Sequence, residues 1–126
     1  MTVCVAALLI CAAVVLALCW WGAGIALHPP AMSPMCIFPE QFGLRYERFS
    51  FNTADGLELK GWWIHSASGD KRTILMCHGW GDNKGELLKQ TYFLHESAGF
   101  NLVYFDFRSH GESEGDITTI GGLEMR

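Results

Sequence analysis

The chain opens on a long apolar stretch, and strand and helix patterns follow it. Residues 2–27 contain no Asp, Glu, Lys or Arg, and the first charged side chain is Glu40. As a helix, this stretch would extend about 39 Å, more than the ~30 Å hydrocarbon layer of a bilayer. Trp20 and Trp21 fall at one boundary of that layer, where indole rings favour the headgroup region. The pattern predicts a single-pass membrane anchor in residues 1–28.

Other interpretations of the apolar stretch stay open. A cleavable signal peptide usually has a basic start and a shorter apolar core, and this stretch has neither. A lipoprotein signal would need a small residue before its cysteine, but Leu18 precedes Cys19. A buried core helix is disfavoured by the length of the run without a charge. The membrane side of the remaining residues is undetermined, because no Lys or Arg stands close to the stretch.

The next residues predict a linker and a β-hairpin. Residues 29–43 hold all four prolines and show no period, which is typical of an extended linker. Residues 44–53 and 57–66 have the composition and alternation of strands, and the Asp-Gly pair at 55–56 is a strong hairpin signal. The alternation slips near residues 47–48, which predicts a β-bulge.

The C-terminal half alternates strand and helix patterns. Residues 73–77 and 101–107 are apolar runs typical of buried strands. Residues 86–98 have helical spacing, with Asn83 and Glu86 as a predicted capping box and a glycine stop at position 99. Residues 118–126 predict the start of another helix. A hairpin followed by a strand–helix–strand crossover predicts an α/β fold with a mixed sheet and helices on its faces.

Composition excludes several function classes. The chain has 9 Lys and Arg against 13 Asp and Glu, a net charge of −4, and no basic cluster. Nucleic acid is therefore not an expected partner. None of the five cysteines forms a C-x-x-C pair or a Cys/His cluster with zinc spacing, so neither a disulfide framework nor a structural metal is expected. No cofactor is expected.

Two loops carry the candidate chemistry. The first, residues 78–83, reads HGWGDN, and the second, residues 106–115, reads DFRSHGESEG. Each follows a predicted buried strand, and ligands of open α/β sheets sit at the carboxyl ends of strands. With the hairpin and its Gly-Trp-Trp strand, these loops resemble the N-terminal part of the α/β-hydrolase superfamily over residues 44–126. The likeness is closest to bacterial, often membrane-anchored serine hydrolases and peptidase-like members.

The resemblance implies a function for each loop. In the superfamily, the first loop supplies one backbone N–H of the oxyanion hole, which is here the N–H of Trp80 beside Gly79. The second loop resembles a supporting turn after the fourth strand, braced by hydrogen bonds and an ion pair and containing Asp106, Arg108, His110 and Ser113. The implied fold is the N-terminal part of an α/β-hydrolase sheet behind one transmembrane helix, with the sheet domain in residues 44–126.

Ser113 lies in a Gly-Glu-Ser-Glu-Gly run that matches the nucleophile-elbow pattern. An elbow serine sits directly between a strand and a helix, whereas the predicted strand here ends several residues earlier. Glu112 and Glu114 would place negative charge beside a developing oxyanion, and no histidine follows Ser113. Ser113 is therefore predicted to support the loop and not to act as the nucleophile. A metal site at His78 and His110 lacks supporting carboxylate or thiolate spacing, and no metal is expected.

The sequence predicts an N-terminal fragment of a serine hydrolase that acts on ester, amide or peptide bonds through an acyl-enzyme. The nucleophile, acid and general-base histidine are expected beyond residue 126, so the fragment alone is expected to be inactive. The strand at 73–77 would then be an exposed apolar edge. The alternative is a non-catalytic, membrane-tethered binding module of the same fold. Expected partners are a small-molecule or peptide substrate and, through residues 2–27, membrane lipid.

Overall fold

The structure of the chain is a computed structural model that describes residues 2–30, 34–69, 71–119 and 121–124. The four strands follow one another as the sequence patterns predict, whereas the helices differ from the prediction in the ways described below. In chain order they are α1 (Thr2–Leu27), a 3₁₀ helix (Pro39–Phe42), β1 (Tyr46–Asn52), β2 (Glu58–Ile64), β3 (Thr73–Cys77), α2 (Lys84–Thr91), α3 (Phe93–Ala98) and β4 (Asn101–Phe105).

The four strands form one mixed sheet in the order β1-β2-β4-β3. β2 pairs antiparallel with β1 and with β4, while β3 and β4 run parallel. Parallel neighbours need a crossover connection, and α2 and α3 provide it between β3 and β4. The predicted α/β fold, a β-hairpin followed by a β-α-β unit, is confirmed.

The hairpin of β1 and β2 is regular. Its register is continuous from the Tyr46–Ile64 pair to the Asn52–Glu58 pair, so the predicted bulge near residues 47–48 is wrong. β1 is an edge strand with most positions exposed, and burial therefore does not force its apolar residues onto one face. The turn between the strands is closed by a hydrogen bond from Thr53 N–H to the Leu57 carbonyl (2.9 Å).

The crossover holds two short helices where the sequence predicts one. α2 ends at Thr91 and α3 begins at Phe93, and His95 N–H bonds to the carbonyl of Tyr92 (3.1 Å), three residues back, as in a tighter turn. Tyr92 at the break stacks on Phe42, with ring centroids 4.4 Å apart. We infer that this packing is what interrupts the helix.

The start of α2 has half of the predicted capping box. The Asn83 side chain accepts hydrogen bonds from Gly85 N–H (2.9 Å) and Glu86 N–H (3.1 Å), as an N-cap does. The reciprocal bond is not made by Glu86, because Asn83 N–H donates to the Asp82 carboxylate (2.9 Å). The predicted stop is confirmed at Gly99, which has a φ of 65°.

The core is built around Trp62 of β2, which is fully buried. Its ring lies 5.7 Å from the ring of Phe38 and 5.7 Å from that of Tyr46. Gly61 beside it is required, because an added Cβ would overlap the Phe49 ring and the Tyr104 carbonyl. The remaining core side chains come from β2, β3, β4, α2 and the segment between the 3₁₀ helix and β1: Ile64, Met76, Leu102, Tyr104, Leu88 and Leu44.

The segment predicted as a linker also reaches this core. Met35, Phe38 and Phe42 pack against it, and Pro39 at the start of the 3₁₀ helix is buried. Residues 35–42 therefore belong to the packed part of the chain.

At the other side of the sheet, β3 pairs only with β4 among the described strands, and Leu75 is 59% exposed. The predicted exposed apolar edge is confirmed.

The predicted helix at 118–126 is wrong where the structure describes it. Residues 121–124 form a turn, and the Glu124 carboxylate accepts hydrogen bonds from Thr118, Thr119 and Gly121. These contacts hold the backbone at Thr119 and Gly121 in a turn. Residues 120, 125 and 126 lie outside the described residues.

α1 precedes the sheet domain and is mostly exposed. Its segment Val3–Leu27 has a mean hydropathy of 2.9 and no buried residue, and it is long and apolar enough to cross a membrane. Signal sequences near an N-terminus share these properties.

Candidate active site

The two candidate loops meet at the carboxyl ends of β3 and β4. The first loop (residues 78–83) leaves β3 and enters α2, and the second loop (residues 106–115) leaves β4. Because β3 and β4 are parallel neighbours, both loops begin at the same edge of the sheet. The position is the one at which open α/β sheets bind ligands.

A reciprocal pair of histidines joins the loops. His78 in the first loop accepts a hydrogen bond at Nε2 from Phe107 N–H (3.1 Å) in the second. His110 in the second loop accepts one at Nε2 from Gly81 N–H (3.0 Å) in the first. An N–H donates, so each Nε2 is unprotonated and each Nδ1 carries the proton, bonded to a carbonyl 2.8 Å away for His78 and 2.7 Å away for His110. Both imidazoles are therefore neutral in this arrangement.

The surroundings of His78 favour this neutral state. Its side chain is buried, and burial lowers the pKa of the imidazole below its ordinary 6.5. The hydrogen bond to Gly79 and the charges of Asp106 and Asp82 act against that effect, while His110 adds to it. The His78 and His110 rings lie 5.0 Å apart. Both Nε2 atoms are occupied by backbone donors, and the described residues contain no group of three metal-ligating side chains.

A buried carboxylate, Asp106, makes the second connection between the loops. Asp106 Oδ1 accepts from the backbone N–H of Lys84 (2.7 Å), and Oδ2 accepts from Glu112 N–H (2.9 Å) and from the Lys84 ammonium. Asp106 and Lys84 have no exposed surface. The adjoining Gly111 has a φ of 52°, and an added Cβ there would overlap the Asp106 carboxylate.

Lys84 itself lies among two carboxylates and an aromatic ring. Its Nζ lies 2.7 Å from Glu112 Oε2 and 4.8 Å from the centre of the Trp62 ring. Partial burial raises the pKa of Glu112. The hydrogen bond and the charge of Lys84 outweigh that effect, so the pKa lies below its usual value. The sequence analysis missed Lys84. A signal existed, because a lysine in the first turn of a helix opposes the helix dipole and needs a special partner.

The second loop is also fixed to β2. Ser113 Oγ donates to the Asp106 carbonyl (2.7 Å) and accepts from Lys60 N–H (2.9 Å). Glu114 N–H donates to the Glu58 carbonyl (3.0 Å), and its carboxylate accepts from Glu58 N–H (2.9 Å). The Ser113 hydroxyl is thus used as both donor and acceptor by backbone groups.

Arg108 connects the same loop to the hairpin turn. Its guanidinium donates to both carboxylate oxygens of Asp55, at 2.8 and 2.7 Å. A hydrogen bond from Thr53, followed by that from Arg108, holds the pKa of Asp55 below its ordinary value. The Arg108 side chain is almost fully buried, whereas the Asp55 side chain is half exposed. The ion pair therefore runs from the interior to the surface of the domain.

The first loop leaves backbone donors unused, and the N–H of Trp80 is one of them. Gly81, Asp82, Asn83 and Lys84 N–H groups all have acceptors within the domain. Among the described residues, none accepts a hydrogen bond from the backbone N–H of Trp80. An added Cβ at Gly79 would meet no atom within 4 Å, so the space beside this N–H is open.

A cavity of about 370 Å³ lies against these groups. Gly79, Trp80 and His110 line it, whereas Asp106, Arg108 and Ser113 do not. The structure therefore brings three of the predicted residues to one cavity and places the other three in the contacts that hold its loops. The full lining is His78, Gly79, Trp80, Phe107, His110, Thr118, Gly121 and Glu124.

Glu124, which the sequence analysis also missed, contributes a negative charge to this lining. Partial burial raises the pKa of its carboxyl, but hydrogen bonds from the Thr119 backbone and side chain and from Thr118 outweigh that and lower it to about 2. The carboxylate is ionised at neutral pH. No local sequence signal pointed to Glu124, because its hydrogen-bond donors come together only when the turn forms.

Comparisons with known proteins are consistent with a hydrolase fold. No protein-family model matches the chain. It is 33% identical over 82 residues to the uncharacterised protein YfhR of Escherichia coli K12, covering 62% of this chain and 28% of YfhR. It is 36% identical over 77 residues to the uncharacterised protein YqkD of Bacillus subtilis, covering 60% of this chain and 24% of YqkD. The chain thus spans about a quarter of the length of the curated relatives it matches.

A solved structure matches more of the chain. The Pyrococcus furiosus esterase Pf2001 is similar over 79% of this chain and 38% of its own, with 30% identity and a TM-score of 0.67. The sheet has the order and connections expected for the N-terminal strands of an α/β-hydrolase, and the likeness to an esterase supports membership of that superfamily. The likeness to an esterase also supports a hydrolase-type function, without indicating a specific activity.

Replacing Lys84 by Met tests the buried ion cluster. Met keeps most of the apolar stem but leaves the Asp106 and Glu112 carboxylates without their cation. We expect the free energy of unfolding to fall by about 3–5 kcal/mol, the usual effect of breaking a buried pair. Urea denaturation in detergent measures it. The matched control is Lys89→Met, because Lys89 pairs with Glu86 at 3.6 Å on the exposed side of the same helix; about 1 kcal/mol or less is expected there. Equal losses would contradict the assigned position of Lys84.

The lowered pKa of His78 predicts an acid-sensitive domain. Well above pH 6.5 the imidazole is neutral in both the folded and the unfolded state, so it contributes no pH dependence. As the pH falls below that value the unfolded state binds the proton first, and the free energy of unfolding decreases until the folded pKa is passed. Urea midpoints at pH 7.5 and 5.5 measure this. His78→Gln keeps an acceptor and does not ionise, so it is expected to lose less than the wild type between these pH values; an equal loss would refute the explanation.

Proposed function

We propose that this chain is the N-terminal part of a membrane-anchored serine hydrolase that cleaves an ester, amide or peptide bond through an acyl-enzyme. The proposal rests above all on the unused backbone N–H of Trp80, which adjoins an open cavity at the carboxyl edge of the sheet. In this proposal the nucleophile, its acid partner and the general-base histidine lie in residues outside these 126. An ester is favoured among the bonds because the similar solved structure is called an esterase.

Acyl transfer places negative charge on the carbonyl oxygen of the substrate as the nucleophile adds. A donor already directed at that oxygen stabilises the charge without reorganising during the reaction. We assign this role to Trp80 N–H because it is a backbone group, it has no acceptor among the described residues, and Gly79 beside it leaves room for the substrate. A second donor next to the nucleophile would complete the oxyanion hole.

The supporting contacts explain how this donor is kept in position. Gly81, next to Trp80, is bonded through its N–H to His110, and its φ of 76° belongs to the left-handed region that favours glycine. Three residues further on, Lys84 connects the backbone to Asp106. The loop is thus fixed on the C-terminal side of Trp80 by two bonds to the second loop, and it can present the N–H without moving.

The contacts of Ser113 support a bracing role in place of a nucleophilic one. Its hydroxyl already donates to the Asp106 carbonyl and accepts from Lys60 N–H, and it is not part of the cavity lining that holds Trp80. In the proposed enzyme, Ser113 keeps the second loop on β2. The attacking hydroxyl belongs to a serine elsewhere in the gene product.

The anchor is part of the proposal. α1 has the length and hydropathy of a membrane span, and Trp20 and Trp21 lie towards its C-terminal end, where indole rings favour the interface. We propose that α1 is retained as a single-pass anchor and is not cleaved.

The direct test removes only the proposed donor. In the whole gene product, Trp80 is replaced by its α-hydroxy analogue, which keeps the indole ring and turns the backbone N–H into an ester oxygen. We expect kcat/KM for p-nitrophenyl butyrate to fall about 10²–10³-fold, as when an oxyanion-hole donor is lost. The matched control is the same ester at Trp63, which lies in β2 outside the loops and should affect stability and not turnover. Unchanged kcat/KM for the Trp80 ester would contradict the proposal, as would a gene product with no nucleophile elbow after residue 126.

A further inference from the structure

The end of α1 is in direct contact with the cavity. The last carbonyls of a helix have no N–H partner within the helix, so they accept hydrogen bonds from donors elsewhere. The Ala26 carbonyl accepts from the indole Nε1–H of Trp80 (3.0 Å), and the Leu27 carbonyl accepts from Thr118 N–H (2.8 Å). Both donors belong to residues that line the cavity. The C-terminal cap of α1 is therefore built from the candidate active site.

The position of these carbonyls along α1 relates the cavity to the membrane. If Trp21 marks the edge of the hydrocarbon layer, Leu27 lies about 9 Å beyond it along the helix. The headgroup layer on one side of a bilayer is about 5–8 Å thick. Ala26 and Leu27 thus fall at the outer boundary of the headgroups, and the cavity that caps them lies at that same level.

Three apolar side chains lie at the end of α1, between the bilayer and the cavity. Ile25 and Leu27 remain 44% and 37% exposed on either side of Ala26, and the Trp80 ring bonded to Ala26 is 40% exposed. Within the cavity Phe107 continues this surface, and the Glu124 carboxylate adds a negative charge. These apolar groups offer contacts to an acyl chain, whereas the Glu124 carboxylate repels an anionic headgroup.

We propose that the cavity opens onto the bilayer surface and takes ester-containing lipids with uncharged or zwitterionic headgroups directly from the membrane. This substrate class rests on the proposed hydrolase function and on retention of α1. The ester carbonyls of such lipids lie at the boundary between hydrocarbon and headgroups, so about 9 Å of movement along α1 brings one to Trp80. Hydrolysis adds one water across the acyl C–O bond and gives a carboxylic acid and an alcohol, with no other reactant.

The position of the cavity is tested by photocrosslinking in dioleoylphosphatidylcholine vesicles. A benzophenone side chain replaces Ile117, which is 37% exposed and precedes the residue bonded to Leu27. The matched control replaces Ala67, an exposed residue that follows β2 at the opposite edge of the sheet, beyond the start of β4. After irradiation, mass spectrometry counts lipid adducts. We expect at least tenfold more adduct at position 117 than at 67; equal adducts, or none at 117, would overturn the proposal.

A parallel assay with the whole gene product separates this inference from the proposed function. Release of oleic acid from the vesicles is compared with hydrolysis of soluble p-nitrophenyl butyrate. Release of oleic acid, reduced when the phosphatidylcholine is replaced by anionic phosphatidylglycerol, supports the lipid substrate class. Turnover of the soluble ester without release of oleic acid overturns that class and leaves the hydrolase function standing. Adducts at position 117 with no turnover of either ester contradict the hydrolase function instead.

Discussion

The buried carboxylate of Asp106 is the contact on which the arrangement of the site depends. It accepts the backbone N–H of Lys84, the ammonium of the same residue and the N–H of Glu112, so one side chain holds the start of α2 and the turn of the second loop. A carboxylate without exposed surface is tolerated only when its oxygens are paired and hydrogen-bonded. The cation that pairs with it is equally buried, and neither is stable in this position without the other.

The histidine pair extends this connection to the edge of the cavity. His78 and His110 each accept a backbone N–H of the opposite loop, which leaves Trp80 N–H as a donor with no acceptor in the described part of the chain. The contacts that fold the loops thus leave the Trp80 N–H free for the role proposed above. The cap on α1 adds a second constraint, because it ties the same tryptophan to the end of the apolar helix.

The sequence predicted the sheet well because its signals are local. The apolar run 73–77 and the Asp-Gly turn each specify an element without reference to distant residues, and both agree with the structure. The break at Tyr92 and the turn closed by Glu124 were mispredicted, since each depends on a contact that only the folded chain makes, with Phe42 and with Thr118 and Thr119. Lys84 was missed, although a lysine in the first turn of a helix opposes the dipole, because its partner Asp106 belongs to the other loop.

Amide hydrogen exchange in an Asp106→Asn variant tests most directly whether this carboxylate holds both loops. Gly81 N–H and Phe107 N–H report on the two histidine bonds, one in each loop, and neither residue contacts Asp106 through its own N–H. The account predicts that both amides lose protection together, about tenfold or more, while β2 and β4 amides stay protected, because local opening exposes one cooperative unit at a time. Wild-type protection at Gly81 and Phe107 in the variant would contradict it.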